Sequence, residues 1–178
     1  MSQFSVVPDH TPLFHLGFFA KDAKAFAQAH HDLYGSGPFI VNENIDMKYT
    51  FRGKETTTNL TIVTGGWKDI LIEIIQQNGE GESYLNEDGH PYGFHHIAFG
   101  VSDVHEAIKE FEAAGNTVQF YNFDRPNFPL CYIDARATSG YYIELNPEMD
   151  GLSQVVKKWA ADWDGETKLF RTMADLRG

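Results

Sequence analysis

His15-Leu16-Gly17-Phe18-Phe19-Ala20-Lys21-Asp22-Ala23 returns 81 residues later as His96-Ile97-Ala98-Phe99-Gly100-Val101-Ser102-Asp103-Val104. Each copy starts on a histidine, continues through apolar and small residues as a buried strand does, and reaches an aspartate suited to cap a helix. Behind Asp22, the residues Ala23, Phe26, Ala29, His30 and Leu33 recur at helical spacing, and Tyr34-Gly35-Ser36-Gly37-Pro38 ends the run. Behind Asp103, Val104, Ala107, Ile108, Phe111 and Ala114 line one face, Glu106 stands at capping-box spacing, and Gly115 is the stop. A second pair of segments, Leu71-Ile72-Glu73-Ile74 and Tyr142-Ile143-Glu144-Leu145, repeats at an offset of 71, so the second copy is ten residues shorter inside.

Between these anchors the pattern reads as strands. The first copy continues with strands at about 39–51, 57–64 and 69–77, turning at Arg52-Gly53-Lys54 and at Gly65-Gly66. The second continues at about 117–123, 130–135 and 141–146, interrupted by Pro126 and Pro129 and by Ser139-Gly140. The sequence therefore predicts an α+β fold of two strand-helix-three-strand (βαβββ) modules within residues 1–149. Module one covers about 11–79, a polar glycine-rich linker 80–92, and module two about 93–149. Beyond Pro147, Leu152, Val155, Val156, Trp159 and Trp163 fall at helical spacing, and a second short helix is expected at 167–176. Residues 150–178 thus form a C-terminal helical extension, expected to pack on the back of the sheet or on a subunit partner.

Composition narrows the function classes. With 42% hydrophobic and 14% aromatic residues among 178, the chain can bury a sizeable core. Lys+Arg 14 against Asp+Glu 25 gives a net charge of −11, which argues against nucleic-acid binding, because neutralising phosphates needs a basic face. No apolar stretch reaches the ~18 residues of a membrane span. Met1-Ser2-Gln3-Phe4-Ser5 lacks both the basic region and the apolar core of a secretion signal, and the default expectation is a soluble cytoplasmic protein. The single cysteine, Cys131, excludes an internal disulfide and reads as a core thiol.

Each module places one histidine in its first strand and one carboxylate in its last. Glu73 shares a strand face with Leu71 and Ile75, and Glu144 lies between Ile143 and Leu145. A lone ionised carboxylate buried there costs several kcal/mol unless something pairs with it, and lysine and arginine are scarce in these strands. One divalent cation would satisfy both, since two neutral histidines and two carboxylates carry the −2 that balances it. Gly17 and Ala98, two positions after His15 and His96, leave space in front of the imidazoles. The set His15, Glu73, His96 and Glu144 is therefore a candidate metal site for Zn²⁺, Ni²⁺, Co²⁺, Mn²⁺ or Fe²⁺. His95 is expected to point to the opposite face from His96 and to pack or to support a ligand from behind, His30 and His31 to be solvated or capping, and His105 to lie on an exposed helix turn. The aromatics Phe39, Tyr49, Phe51, Phe120, Tyr121, Phe123 and Phe128 are expected to be core for the most part, some lining a pocket.

The paired modules and the motifs Phe14-His15-Leu16-Gly17, Ile72-Glu73-Ile74, His95-His96-Ile97-Ala98-Phe99 and Tyr142-Ile143-Glu144-Leu145-Asn146-Pro147 resemble the vicinal oxygen chelate (glyoxalase/bleomycin-resistance/dioxygenase) superfamily over about residues 11–148. Within it the sequence is most similar to glyoxalase-like and methylmalonyl-CoA epimerase-like members. The resemblance implies two βαβββ modules curled into an open barrel around one divalent metal held by His15, Glu73, His96 and Glu144. It implies a metal-dependent isomerase, epimerase or lyase that acts on a small oxygenated metabolite through a metal-stabilised enolate or enediolate, with Glu73 or Glu144 moving the proton. It also implies a homodimer. In the epimerases the first module's last-strand ligand is often glutamine and in glyoxalase I it is glutamate, as Glu73 is. The epimerases' glutamate base, placed just after the second strand, has no clean counterpart in Asn42-Glu43-Asn44-Ile45-Asp46-Met47. The alternatives are an extradiol-type Fe²⁺ dioxygenase, served by His15, His96 and Glu144, and a non-catalytic small-molecule binding or resistance protein on the same fold.

Overall fold

A computed structural model describes residues 13–81, 83–86, 92–122, 129–147 and 150–177. The first copy of the repeat comprises β1 (Leu13–Phe19), α1 (Ala23–Tyr34), β2 (Phe39–Phe51), β3 (Lys54–Trp67) and β4 (Ile70–Asn78). The second comprises β5 (Gly93–Val101), α2 (Val104–Ala113), β6 (Thr117–Asn122), β7 (Leu130–Asp134) and β8 (Tyr142–Pro147), with a one-turn helix α3 (Arg136–Ser139) before β8. After it come α4 (Asp150–Ala161), the two-residue strand β9 (Phe170–Arg171) and a 3-10 turn over Met173–Arg177. Both helices begin as expected. Asp22 accepts from the Ala25 amide at 2.9 Å, and Asp103 accepts from His105 and Glu106 at 2.9 and 3.1 Å.

The strands form one mixed sheet ordered β3-β4-β1-β5-β8-β7-β6-β2-β9, and a further β2–β3 pairing closes eight of them into a ring. The expected open barrel is thus closed. Its narrowest join lies between β2 and β6, where the paired positions are Thr50 with Tyr121 and Phe51 with Phe120. The repeats meet through β1 and β5, which run antiparallel, while each pairs in parallel with the last strand of its own repeat. Among the described residues no helix is long and apolar enough to cross a membrane.

Alternation divides the side chains between the two faces. Leu16 and Phe18 on β1, Val63 on β3, and Ile72 and Ile74 on β4 point outward against Ala23, Phe26 and Ala27 of α1. Cys131, Ile133 and Leu145 do the same against Val104, Ala107 and Phe111 of α2. The enclosed face carries Phe19, Met47, Tyr49, Leu60, Ile75, Phe120, Tyr132 and Tyr142.

Further expectations are corrected. Gly65 and Gly66 lie within β3, and the chain turns instead at Lys68 and Asp69, Lys68 taking a left-handed φ of 55°. A Cβ on Gly65 would run into the Phe39 ring and one on Gly66 would come within 2.8 Å of the Ala160 Cβ, so the glycines serve packing. α4 is not on the back of the sheet. Gly66 pairs with Leu71, and Leu71 with His15, so the helix that meets Gly66 covers the histidine face, its Val156 packing with Ile40 and Leu71. The region expected as a second short helix instead adds β9 to β2 before its 3-10 turn. Finally, the glycine-rich connection is not merely a spacer: Ser83, Tyr84 and Leu85 are buried, the last two inside the ring with Tyr49 and Phe120.

His30, expected to be solvated or capping, is buried among Phe18, Phe26, Tyr34 and Trp67, with Nδ1 2.8 Å from the Ser36 hydroxyl. Burial lowers its pKa from the ordinary 6.5. As pH falls through that value, the unfolded chain takes up a proton that the folded chain resists, so this residue costs stability on acidification. Urea midpoints measured between about pH 7.5 and about pH 5.5 should fall less steeply in His30→Phe protein than in wild type. Parallel slopes would show that His30 does not contribute to the acid sensitivity.

Candidate metal centre

The β1–β5 seam builds the site. His15 stands opposite Ala98, and Gly17 opposite His96, so each small residue makes room for the other repeat's imidazole. The sequence places each small residue in front of its own module's histidine, and the antiparallel pairing moves it across the seam. A Cβ on Gly17 would overlap the His96 ring. Along β4, Glu73 pairs with Gly17, and along β8, Glu144 pairs with Ala98. Four side chains from four adjacent strands thereby converge on one point.

Each of the four offers a ligand atom within 4.8 Å of all the others. The two Nε2 atoms are 2.9 Å apart, and Glu144 Oε2 lies 3.1 Å from His15 Nε2 and 2.7 Å from His96 Nε2. Glu73 Oε2 is 3.7 Å from each imidazole. Neighbouring donors around a first-row ion at metal distances of about 2.0–2.2 Å are separated by about 3.0–3.5 Å, which these edges bracket. The donor set fits a divalent cation chemically as well, since two imidazole lone pairs and two carboxylates facing one another repel unless a proton or cation lies among them.

The electrostatics of the bare cluster show that strain. Burial opposes charge on His15, but Glu144 and then Glu73 raise its pKa above 6.5. Burial likewise opposes charge on Glu144, yet His96 and His15 together hold its carboxyl well below the usual carboxylate range. Burial lifts Glu73 above 4.5; His15 offsets part of this and Glu144 adds to it. Glu73 is also the most open member, its side chain 20% exposed against 6% or less for the others.

Residues beyond the expected four complete the surroundings. Tyr132, opposite Glu144 across β7 and β8, donates its hydroxyl to Glu144 Oε2 at 3.1 Å. His95 does not point away from His96. The β1–β5 register slips there, Gly17 facing His96 and Phe18 facing Phe94, and this bulge turns His95 into the interior, Nδ1 to Nδ1 2.9 Å from His96. Strand alternation alone gives the wrong face for His95, and nothing local in the sequence marks the bulge. Of the expected aromatics, Tyr49, Phe51 and Phe120 line the interior, Phe39 packs outside under α1 and Tyr121 is exposed. Phe123 and Phe128 lie outside the described residues. Cys131 is buried with its thiol pushed far up by burial, a core residue as expected, and His105 is exposed. Glu43 and Asp46 face solvent, Glu43 paired with Lys24 at 2.6 Å and Asp46 accepting from Asn59 at 2.7 Å, so β2 brings neither carboxylate to the centre.

Because the Gly17 backbone lies under the His96 ring, Gly17→Ala should displace that imidazole and destabilise the fold by about 1–3 kcal/mol, the usual cost of overpacking. Denaturant unfolding measures it. An unchanged midpoint would mean that the ring has room to move, contrary to the packing described.

Among solved structures, methylmalonyl-CoA epimerase from Mycobacterium tuberculosis is similar with a TM-score of 0.53 at 18% identity, the match covering 86% of this chain and 97% of that one. A methylmalonyl-CoA epimerase in complex with methylmalonyl-CoA and NH4+ is similar with a TM-score of 0.51 at 17% identity, over 79% and 96% of the two chains. A hypothetical protein from Bacillus halodurans C-125 gives 0.51 at 17%, over 80% and 97%. At these identities the likeness is one of fold. No curated protein matches the sequence. Residues 14–132 match the family model described as glyoxalase/bleomycin resistance protein/dioxygenase superfamily, and the chain belongs to that superfamily.

Proposed function

We propose that this protein is a divalent-metal-dependent isomerase, epimerase or lyase whose substrate is a small oxygenated metabolite. The observation that carries the reading is the convergence of His15, Glu73, His96 and Glu144, two residues from each repeat, with ligand atoms within 4.8 Å of one another. Such a donor set would hold Zn²⁺, Ni²⁺, Co²⁺, Mn²⁺ or Fe²⁺. The cation would supply Lewis acidity to two neighbouring substrate oxygens, favouring loss of a proton from the adjacent carbon.

The chain's own residues divide the remaining work. Glu144, buried and held by the Tyr132 hydroxyl, is the rigid carboxylate. Glu73 has a pKa raised by burial, the greater exposure and the longer 3.7 Å separations, which suit it to take a carbon-bound proton and return it. The interior aromatics keep bulk water from that exchange. Four protein donors would leave room on a six-coordinate ion for two substrate oxygens, and Glu73, the most loosely set of the four, would loosen from the ion to act as base. An oxygen-activating iron site wants three open positions, one of which Glu73 would occupy at rest, so the donor count favours isomerase, epimerase or lyase chemistry over the dioxygenase alternative.

The solved relatives include one bound to methylmalonyl-CoA. A coenzyme tail wants free cationic groups, and in this chain Arg136 is held by Asp134 at 2.7 Å and stacks on Tyr142, Lys48 is 3.3 Å from Glu55, and Arg52 lies over Phe51. Among the described residues these three engagements favour a compact substrate over one with a nucleotide handle.

Elemental analysis of protein purified without chelator should find about one divalent ion per chain, lost in His96→Ala. Affinity for added Zn²⁺ should rise with pH across neutrality, because the metal must displace the proton that Glu144 and Glu73 favour on His15. A wild-type protein that takes up none of the five metals would refute the centre.

Glu73→Gln should retain the ion, since the amide oxygen can still ligate, while exchange of carbon-bound hydrogen for deuterium falls about 100-fold or more. Proton NMR in D₂O with a panel of small oxo- and hydroxy-acids reads it. Undiminished exchange in Glu73→Gln would remove Glu73 from the proposed role.

A further inference from the structure

We propose that His95 is a positioning residue that fixes the tautomer of His96 and thereby its capacity to bind metal, an inference that rests on the metal reading above. Its basis is a hydrogen-bond chain whose polarity, for neutral imidazoles, follows from the carbonyl at its outer end. The Tyr84 carbonyl can only accept, and His95 Nε2 lies 3.4 Å from it, so that nitrogen carries the proton. In a neutral imidazole the other nitrogen is then an acceptor. His95 Nδ1 is 2.9 Å from His96 Nδ1, so His96 Nδ1 carries the proton and donates it. That leaves the lone pair of His96 on Nε2, the atom 2.7 Å from Glu144 and 2.9 Å from His15 Nε2 at the centre of the cluster.

Packing holds the chain of bonds in place. His95 is fully buried, stacked on Tyr142 with ring centroids 5.0 Å apart and the planes at 30°, and edge-on to Tyr84 and Tyr132. Tyr84 reaches it from the connection between the repeats, which makes that segment an outer layer of the site. The first repeat lacks this device. The position matching His95 is Phe14, 5.1 Å from the His15 ring, and a phenyl group offers no acceptor. The two histidine ligands are therefore inequivalent, His96 oriented by a second imidazole and His15 by packing.

His95→Phe copies the first repeat and removes the acceptor. His95→Asn places an amide oxygen where Nδ1 stood and restores it. Zn²⁺ affinity of wild type and both variants is measured by chelator competition, and two-bond ¹H–¹⁵N spectra of the histidine side chains are recorded on the Zn²⁺-loaded proteins. The expected result is a wild-type His96 protonated at Nδ1 and bound through Nε2. Affinity should drop about 10–100-fold in His95→Phe and recover most of the way in His95→Asn. Affinity in His95→Phe within twofold of wild type, failure of His95→Asn to improve on it, or ligation of His96 through Nδ1 would each overturn the proposal. If His95→Phe does not fold, the wild-type tautomer and the His95→Asn affinity decide it. Wild-type protein that binds no Zn²⁺, Ni²⁺, Co²⁺, Mn²⁺ or Fe²⁺ would instead refute the metal centre itself.

Discussion

The antiparallel pairing of β1 with β5 is the constraint on which the rest of the molecule depends. It sets Gly17 under His96 and Ala98 beside His15, and it brings β4 and β8, each parallel to its own partner, to the two flanks of the seam. A slip of one residue in that register would turn every inward side chain of one repeat outward. The bulges at Phe14 and His95 show how firmly the two histidines are held, because each takes up an extra residue beside its histidine without moving it from the inner face.

The enclosed space left by the two repeats is filled by different means on its two sides. In the first repeat, α4 lays Val156 over Leu71 and Ile40. Towards the second, Tyr84 and Leu85 from the connecting segment lie among Phe120, Tyr132 and Tyr142, with Tyr49 of the first repeat beside them. Leu71 and Tyr142 are themselves equivalent positions of the repeat, so one scaffold accepts an aliphatic plug in one half and an aromatic one in the other. These fillings bury three of the four candidate donors almost completely and leave Glu73 the most exposed of the set.

Much of this was legible in the sequence because it is written locally. Helix caps at Asp22 and Asp103, glycine stops and strand alternation depend on neighbours a few residues apart, and the recurrence of histidine and glutamate is read by laying one copy of the repeat over the other. What escaped depends on partners distant in the chain. The bulge that turns His95 inward is a property of pairing with β1. The roles of Gly65 and Gly66 come from Phe39 and Ala160, and a glycine pair read without those partners looks like a turn. The Tyr132 hydroxyl meets Glu144 only through the β7–β8 register. Tyr84 and Leu85 sit in a stretch whose composition is that of a spacer, and two apolar side chains are too weak a signal against its glycines and carboxylates. The amphipathic pattern of α4 showed that it would pack, but not on which face of the sheet.

The seam also bears on how long a chain the centre requires. Each repeat supplies one histidine and one glutamate, and the repeats face each other across an approximate twofold axis through β1 and β5. Two identical copies of one repeat, associating through their first strands, would assemble the same four donors. Joining the copies in one polypeptide removes the requirement that they remain identical. Phe14 at the position matching His95, and an α4 helix matched to one half only, are differences that a symmetric pair of separate chains could not hold.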